Sequence, residues 1–174
     1  MVLLAFAFTC TKLKGQYNPA MVTIPTVALM DIEPSSSGIN LSFDQPTEAG
    51  LPTNSSNATD NSKWLNYTSA NSSSSTRKIT VQISSGNSPT GTVIDLTAAA
   101  YSGNGAGVSF GTPNTTIQLN TSVQDLITNI SSCFTGDGQF NGHCLTYSFR
   151  IVNYVAIKTV IAGTMVINYT LIDN

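Results

Sequence analysis

The chain is poor in charge, and that scarcity excludes several function classes at once. Lys, Arg, Asp and Glu make up 9% of its 174 residues, against about 25% in an ordinary soluble domain. With 7 basic and 9 acidic residues the net charge is −2, and the only adjacent basic pair is Arg77-Lys78. Nucleic-acid binding rests on clustered cations that neutralise phosphates, so no nucleic acid is expected as a partner. Glu, Lys and Arg are also the good formers of exposed helices, and their shortage speaks against a helical protein. Long apolar runs are missing too, so no transmembrane segment is expected. Tryptophan and histidine occur once each, as Trp64 and His143, and cysteine occurs only as Cys10, Cys133 and Cys144.

What is present is 41% hydrophobic residues and a polar complement of Ser, Thr and Asn. These short polar side chains favour strands and turns over helix interiors. The length suits one domain with a real core. The start, MVLLAFAFTCTKLKGQ, has an apolar stretch from Val2 to Phe8 with no basic residues before it. It reads as a signal peptide over residues 1–15 whose own beginning lies upstream, followed by a single domain over 16–174. The rival reading is a buried N-terminal strand. Export places the protein at the cell surface or in the medium, in an oxidising setting.

Apolar alternation at period two recurs from end to end. MVTIPTVALMDIEP puts Val22, Ile24, Ala28, Met30 and Ile32 on one parity, and Pro25, which cannot donate to a ladder, predicts an edge position. INLSF, RKITVQIS, VIDLTA, TTIQL, LTYSFRI, VAIKTVI and TMVINYTLI continue the pattern. Between them lie polar, low-complexity loops (45–62 and 69–76) and the glycine-rich YSGNGAGVSFG. SVQDLITNIS breaks the pattern, with Val123, Leu126, Ile127 and Ile130 at helical spacing behind Ser122. It predicts one short helix near 122–131, with a bent strand as the rival. The fold class is all-β, an immunoglobulin-like two-sheet β-sandwich of about eight or nine strands. Trp64, Phe43, Tyr67, Tyr147 and Phe149 are expected in its core.

CFTGDGQFNGHC brings two cysteines and the only histidine together in residues 133–144. A structural zinc site needs four converging ligands, and side chains as close in sequence as His143 and Cys144 diverge. A redox pair would be Cys-x-x-Cys beside a helix N-terminus. In an exported chain the pair Cys133 and Cys144 reads as a disulfide closing a glycine-rich loop, worth about 3 kcal/mol in the chain-entropy model. Asp137 with neighbouring carbonyls lacks the spaced carboxylates of a calcium loop, and a turn accounts for Gly136, Gly138 and Gly142. No metal or other cofactor is implied. A serine triad would have to use His143, and no Gly-x-Ser-x-Gly elbow accompanies it. Glu33 and Glu48 are the only glutamates, and each lies next to a turn residue. No catalytic residue is assigned, and the protein is read as no enzyme. Asn-x-Ser/Thr triplets recur, Asn129 and Asn168 among them, and a chain this rich in Asn, Ser and Thr produces them by chance.

MVTIPTVALMDIEP, TRKITVQI and AGTMVINYTLI together resemble subunits of chaperone–usher-type pili, including spore-coat-U-like fimbrial subunits. The segment WLNYT, Trp64 to Thr68, is similar to one in small secreted surface proteins of Bacteroidota. The resemblance implies a Ser/Thr-rich β-sandwich that assembles with other surface subunits or with itself, with a strand carrying Val22, Ile24, Ala28, Met30 and Ile32 donated to a neighbour. Two features depart from the family pattern: the cysteine pair sits late in the chain, and Pro25 interrupts the donor segment. The alternative is a monomeric binding module for a ligand such as carbohydrate. Its contacts would come from aromatics outside the alternating strands, Tyr17, Tyr101 and Phe110.

Overall fold

A computed structural model of the protein describes residues 21–35, 37–53, 58–72, 75–158 and 163–174; the expected signal segment 1–15 and Tyr17 lie outside them. Strand chemistry dominates. β1 runs Val27–Glu33, β2 Thr59–Ala70, β3 Arg77–Ser85, β4 Thr92–Ala98, β5 Ala106–Gly107 and β6 Phe110–Pro113. β7 is Ile117–Gln118, β8 Gln124–Ile130, β9 Cys133–Phe134, β10 His143–Ile151 and β11 Val166–Asp173, and a 3-10 turn covers Tyr154–Ala156. Among the described residues there are eleven strands against the eight or nine expected: the alternation marks no strand at β2, β5, β6 or β9, TTIQL pairs only at Ile117–Gln118 as β7, and residues 155–158 of the expected strand VAIKTVI form part of the 3-10 turn and coil instead.

The strands form two antiparallel sheets, one of seven strands and one of four in the order β11-β3-β8-β6. In the larger sheet the long β2 is the axis. β1 pairs with β2 residues 64–70, while β10 pairs with residues 59–65 and β9 with 68–69. Since β1 overlaps both β9 and β10 in register, it occupies one edge of β2 and they share the other. β4 then pairs with β10, and β5 with β9. Among the described residues β1 pairs only with β2 and so lies at an edge, as expected, although Pro25 falls two residues before the strand and takes no part in its ladder.

Inward alternation builds the core. β4 and β10 bury every second residue, and Ile94, Leu96, Leu145, Tyr147 and Phe149 meet Leu65, Ile79, Val81 and Leu126 between the sheets. The segment INLSF makes no strand, yet Ile39, Leu41 and Phe43 pack against this core, and Phe43 stacks on Phe149 at 4.4 Å between ring centroids. Trp64 departs from the expected core: it has the opposite parity to buried Leu65 and Tyr67, so it turns to the outer face.

The expected helix near 122–131 is the strand β8. Its helix-like spacing has a specific cause. Between Arg77↔Ile130 and Ile79↔Ile127, and again between Ile79↔Ile127 and Thr80↔Asp125, β8 spends one more residue than β3. Each extra residue is a bulge that shifts the parity, so the neighbours Leu126 and Ile127 both point inward. Asn129 sits at φ 60, the left-handed region that Asn tolerates best after Gly.

Candidate functional site

The loop carrying Cys133, Asp137, His143 and Cys144 is an excursion from a nearly continuous strand. Thr135 donates its N–H to Tyr67 O at 3.0 Å, the chain leaves the sheet over residues 136–142, and His143 rejoins opposite Leu65. The expected disulfide is corrected here: Cys133 and Cys144 are free thiols. Cys133 faces Ser69 and Cys144 faces Trp64, both along one edge of β2. Five residues of β2 separate these rungs, roughly 17 Å at about 3.3 Å per residue, against an upper limit near 7 Å for a bridge. An odd separation also puts the two sulfurs on opposite faces of the sheet. Burial pushes the Cys133 thiol up to about 11.

Hydrogen bonds hold the loop in place of a bridge. Asn66 Nδ2 donates to Asn141 O at 2.5 Å, Asn141 Nδ2 donates to Asp137 O at 2.7 Å, and Asn104 N donates to Asn141 Oδ1 at 3.0 Å. Gly142, at φ +86, passes so close to Leu65 O that a side chain there would collide with the backbone. The glycines thus serve the turn and the return to the sheet.

His143 is fully buried, and its partners belong to a structural network. Nδ1 lies 2.8 Å from Ala99 O, and Nε2 lies 2.9 Å from the Tyr67 hydroxyl and 3.1 Å from Phe110 O. Burial lowers the pKa of His143 against the opposing pull of the Ala99 and Phe110 carbonyls, so the ring is held neutral. No serine or carboxylate is among its hydrogen-bond partners. Among the described residues no group of three or more His, Cys, Asp or Glu is arranged to hold a metal ion.

Tyr101 and Phe110, expected as exposed ligand contacts, turn their rings on each other, 3.6 Å apart and 4° from parallel. The Tyr101 hydroxyl accepts from Gly105 N at 2.6 Å and donates to Thr135 O at 3.3 Å. Both rings are half-buried and knit the β5–β6 region to the loop. The exposed aromatic surface lies elsewhere, on the outer face of the larger sheet. There Phe140 packs edge-on against Trp64 at 5.6 Å, with Phe134 and Leu29 also exposed.

The candidate donor residues divide. Met30 and Ile32, opposite Tyr67 and Leu65, turn toward their own core, and Ala28 lies exposed opposite Ser69. Val22 and Ile24, 85% and 84% exposed, precede β1 in a segment outside any strand, together with Met21 at 95%. Beside β1 runs β11, the edge of the smaller sheet, whose inward residues Ile167, Tyr169 and Leu171 are only half-buried. Between these two edges lie two recesses of about 380 and 420 Å³.

Lys63 projects into this seam, a residue the sequence reading passed over. It is 5% exposed, and its amine donates to Pro34 O, Ser37 O and Ser37 Oγ, the last at 3.1 Å. The signal was its odd parity with Leu65 and Tyr67, which turns a lysine inward. No family model, no curated protein and no solved structure matches the chain.

Proposed function

We propose that the protein is an exported, non-enzymatic surface subunit of fimbrial or adhesin-like type that assembles through the apolar arm preceding β1. The observation that carries this reading is the exposure of Met21, Val22 and Ile24 immediately before a strand that lies at a sheet edge. Apolar side chains left in water in a row mark an interaction surface. An extended arm gains affinity by adding main-chain hydrogen bonds to a neighbour's free sheet edge, and specificity from alternate side chains. Compared with the strand expected from the sequence, the donated portion is shorter, because residues 27–33 are already paired with β2 of the same chain. The test is native mass and negative-stain microscopy on a chain beginning at Gln16, against the same chain carrying Val22→Asp and Ile24→Asp. Oligomers or filaments from the first alone support assembly by the arm. Monomers from both overturn it.

A second reading, a glycan-binding module, draws on the outward pair Trp64 and Phe140, since sugar rings stack on exposed aromatic faces. Glycan-array binding that Trp64→Ala abolishes, in a protein that stays monomeric, would favour it over assembly.

A further inference from the structure

The seam between β1 and β11 holds a charge that the fold leaves uncompensated. Lys63 is nearly buried, its three N–H bonds end on neutral oxygens, and among the described residues it forms no ion pair. A buried charge without a counter-charge is costly. Beside it, within the 420 Å³ recess, stand Tyr147 and Tyr169, whose hydroxyls are 2.5 Å apart. Two hydroxyls carry two protons, and their mutual bond uses one, so a donor remains. Both tyrosines have raised pKa values, chiefly through burial, with Tyr147 pushed up to about 12, so these groups stay protonated donors. The remaining wall is mixed, with Ile32, Ile39, Met165 and Ile167 alongside Asn40 and Thr164. The recess therefore offers a single positive charge and a spare hydroxyl proton at one place, with an apolar strip of Ile32, Ile39 and Ile167 beside them. Its volume lies within the range of small-ligand sites, about 300–1,000 Å³.

We propose that this recess binds a small carboxylate with an apolar tail, the carboxylate displacing Ser37 Oγ, the longest of the three contacts at 3.1 Å, from Lys63 Nζ and accepting also from the Tyr147–Tyr169 pair. One negative charge matches the one ammonium, and two carboxylate oxygens can take both kinds of donor at once. The tail lies along Ile32, Ile39 and Ile167. Asp31 borders the adjoining 380 Å³ recess on the exposed side of β1, where its Oδ1 already accepts from Ile32 N at 2.7 Å. The site stands apart from the arm of residues 21–24, so carboxylate binding and assembly can fail independently.

Calorimetric titration of the full chain with decanoate, decanol and acetate separates the contributions of charge and tail. Decanoate is expected to bind at least about tenfold more tightly than decanol, with no measurable binding of acetate, since charge-assisted bonds are the stronger ones. Lys63→Met should weaken decanoate about tenfold or more and leave decanol within about twofold, while Lys63→Arg keeps most of the affinity. If Lys63→Met does not fold, Tyr169→Phe serves instead. It removes one of the paired hydroxyls and should weaken decanoate severalfold with decanol unchanged. No decanoate binding, or equal binding of decanoate and decanol, overturns the proposal.

Discussion

At the scale of single residues, parity along a strand decides what His143 and the cysteines do. His143 shares the parity of Leu145, Tyr147 and Phe149, so it enters the core, and extending the alternation of LTYSFRI back by two residues would have shown this. The lowered pKa sets a direction for stability. The unfolded chain binds a proton on His143 near its ordinary value of about 6.5, and the folded chain does so only at lower pH. Its contribution is complete above about pH 6.5 and is lost as pH falls from there toward the depressed folded value, by up to about 1.4 kcal/mol per pH unit. Denaturant titrations at about pH 7.5 and 5.5 should therefore show a larger loss for the native chain than for His143→Asn; equal losses would mean the ring is not held neutral. For the thiols, a Cys10→Ser chain is expected to label at Cys144 while folded and at Cys133 only on unfolding, with no shift of Tm under reductant. Burial raises both thiols, so folded-state labelling should be slow.

At the scale of elements, the two sheets are tied at one corner by Arg77. The residue is 6% exposed; Nε meets Asp173 at 2.8 Å, and Nη1 donates to Val27 O, to Ser69 Oγ at 3.2 Å and to Ala70 O at 3.5 Å. One side chain on β3 of the smaller sheet thus holds β1 and the end of β2 in the larger one. Arg77→Lys should cost about 1–3 kcal/mol, because an ammonium cannot reproduce the fork and leaves buried acceptors unmet. Asp173→Asn should cost less than about 1 kcal/mol, since that carboxylate is largely in water. Chemical denaturation of the two variants checks the order. β8 shows why one element was misread: two bulges put Leu126, Ile127 and Ile130 on one face at helical spacing, and bulges depend on a partner strand that local sequence does not contain.

At the scale of the whole molecule, the N-terminal region divides between the core and an exposed arm. Val22→Asp with Ile24→Asp should shift Tm by no more than about 2–4 °C, because surface substitutions away from packing contacts are usually within about 0.5 kcal/mol each. Ile32→Ala, which removes a side chain packed on the core, should lower stability by about 1–3 kcal/mol, less than a fully buried isoleucine would. Thermal unfolding of both variants tests the division, and equal effects would place the arm inside the fold. A seam between β1 and β11 that is only half closed is where a ligand or a second chain gains most from burial.

Alternation, the scarcity of charged helix formers and the turn residues determined by themselves that this is a two-sheet β-sandwich and that Tyr67, Tyr147 and Phe149 build its core. These are local properties, written at period two. Three results were decided only by the tertiary structure. Cys133 and Cys144 lie five rungs apart on opposite faces, because the intervening loop leaves the sheet and rejoins it further along. Tyr101 and Phe110 spend their faces on each other. Lys63 meets Tyr147 and Tyr169 across the gap between two sheets. Each depends on register and on how one sheet lies over the other, distances that no sequence spacing encodes.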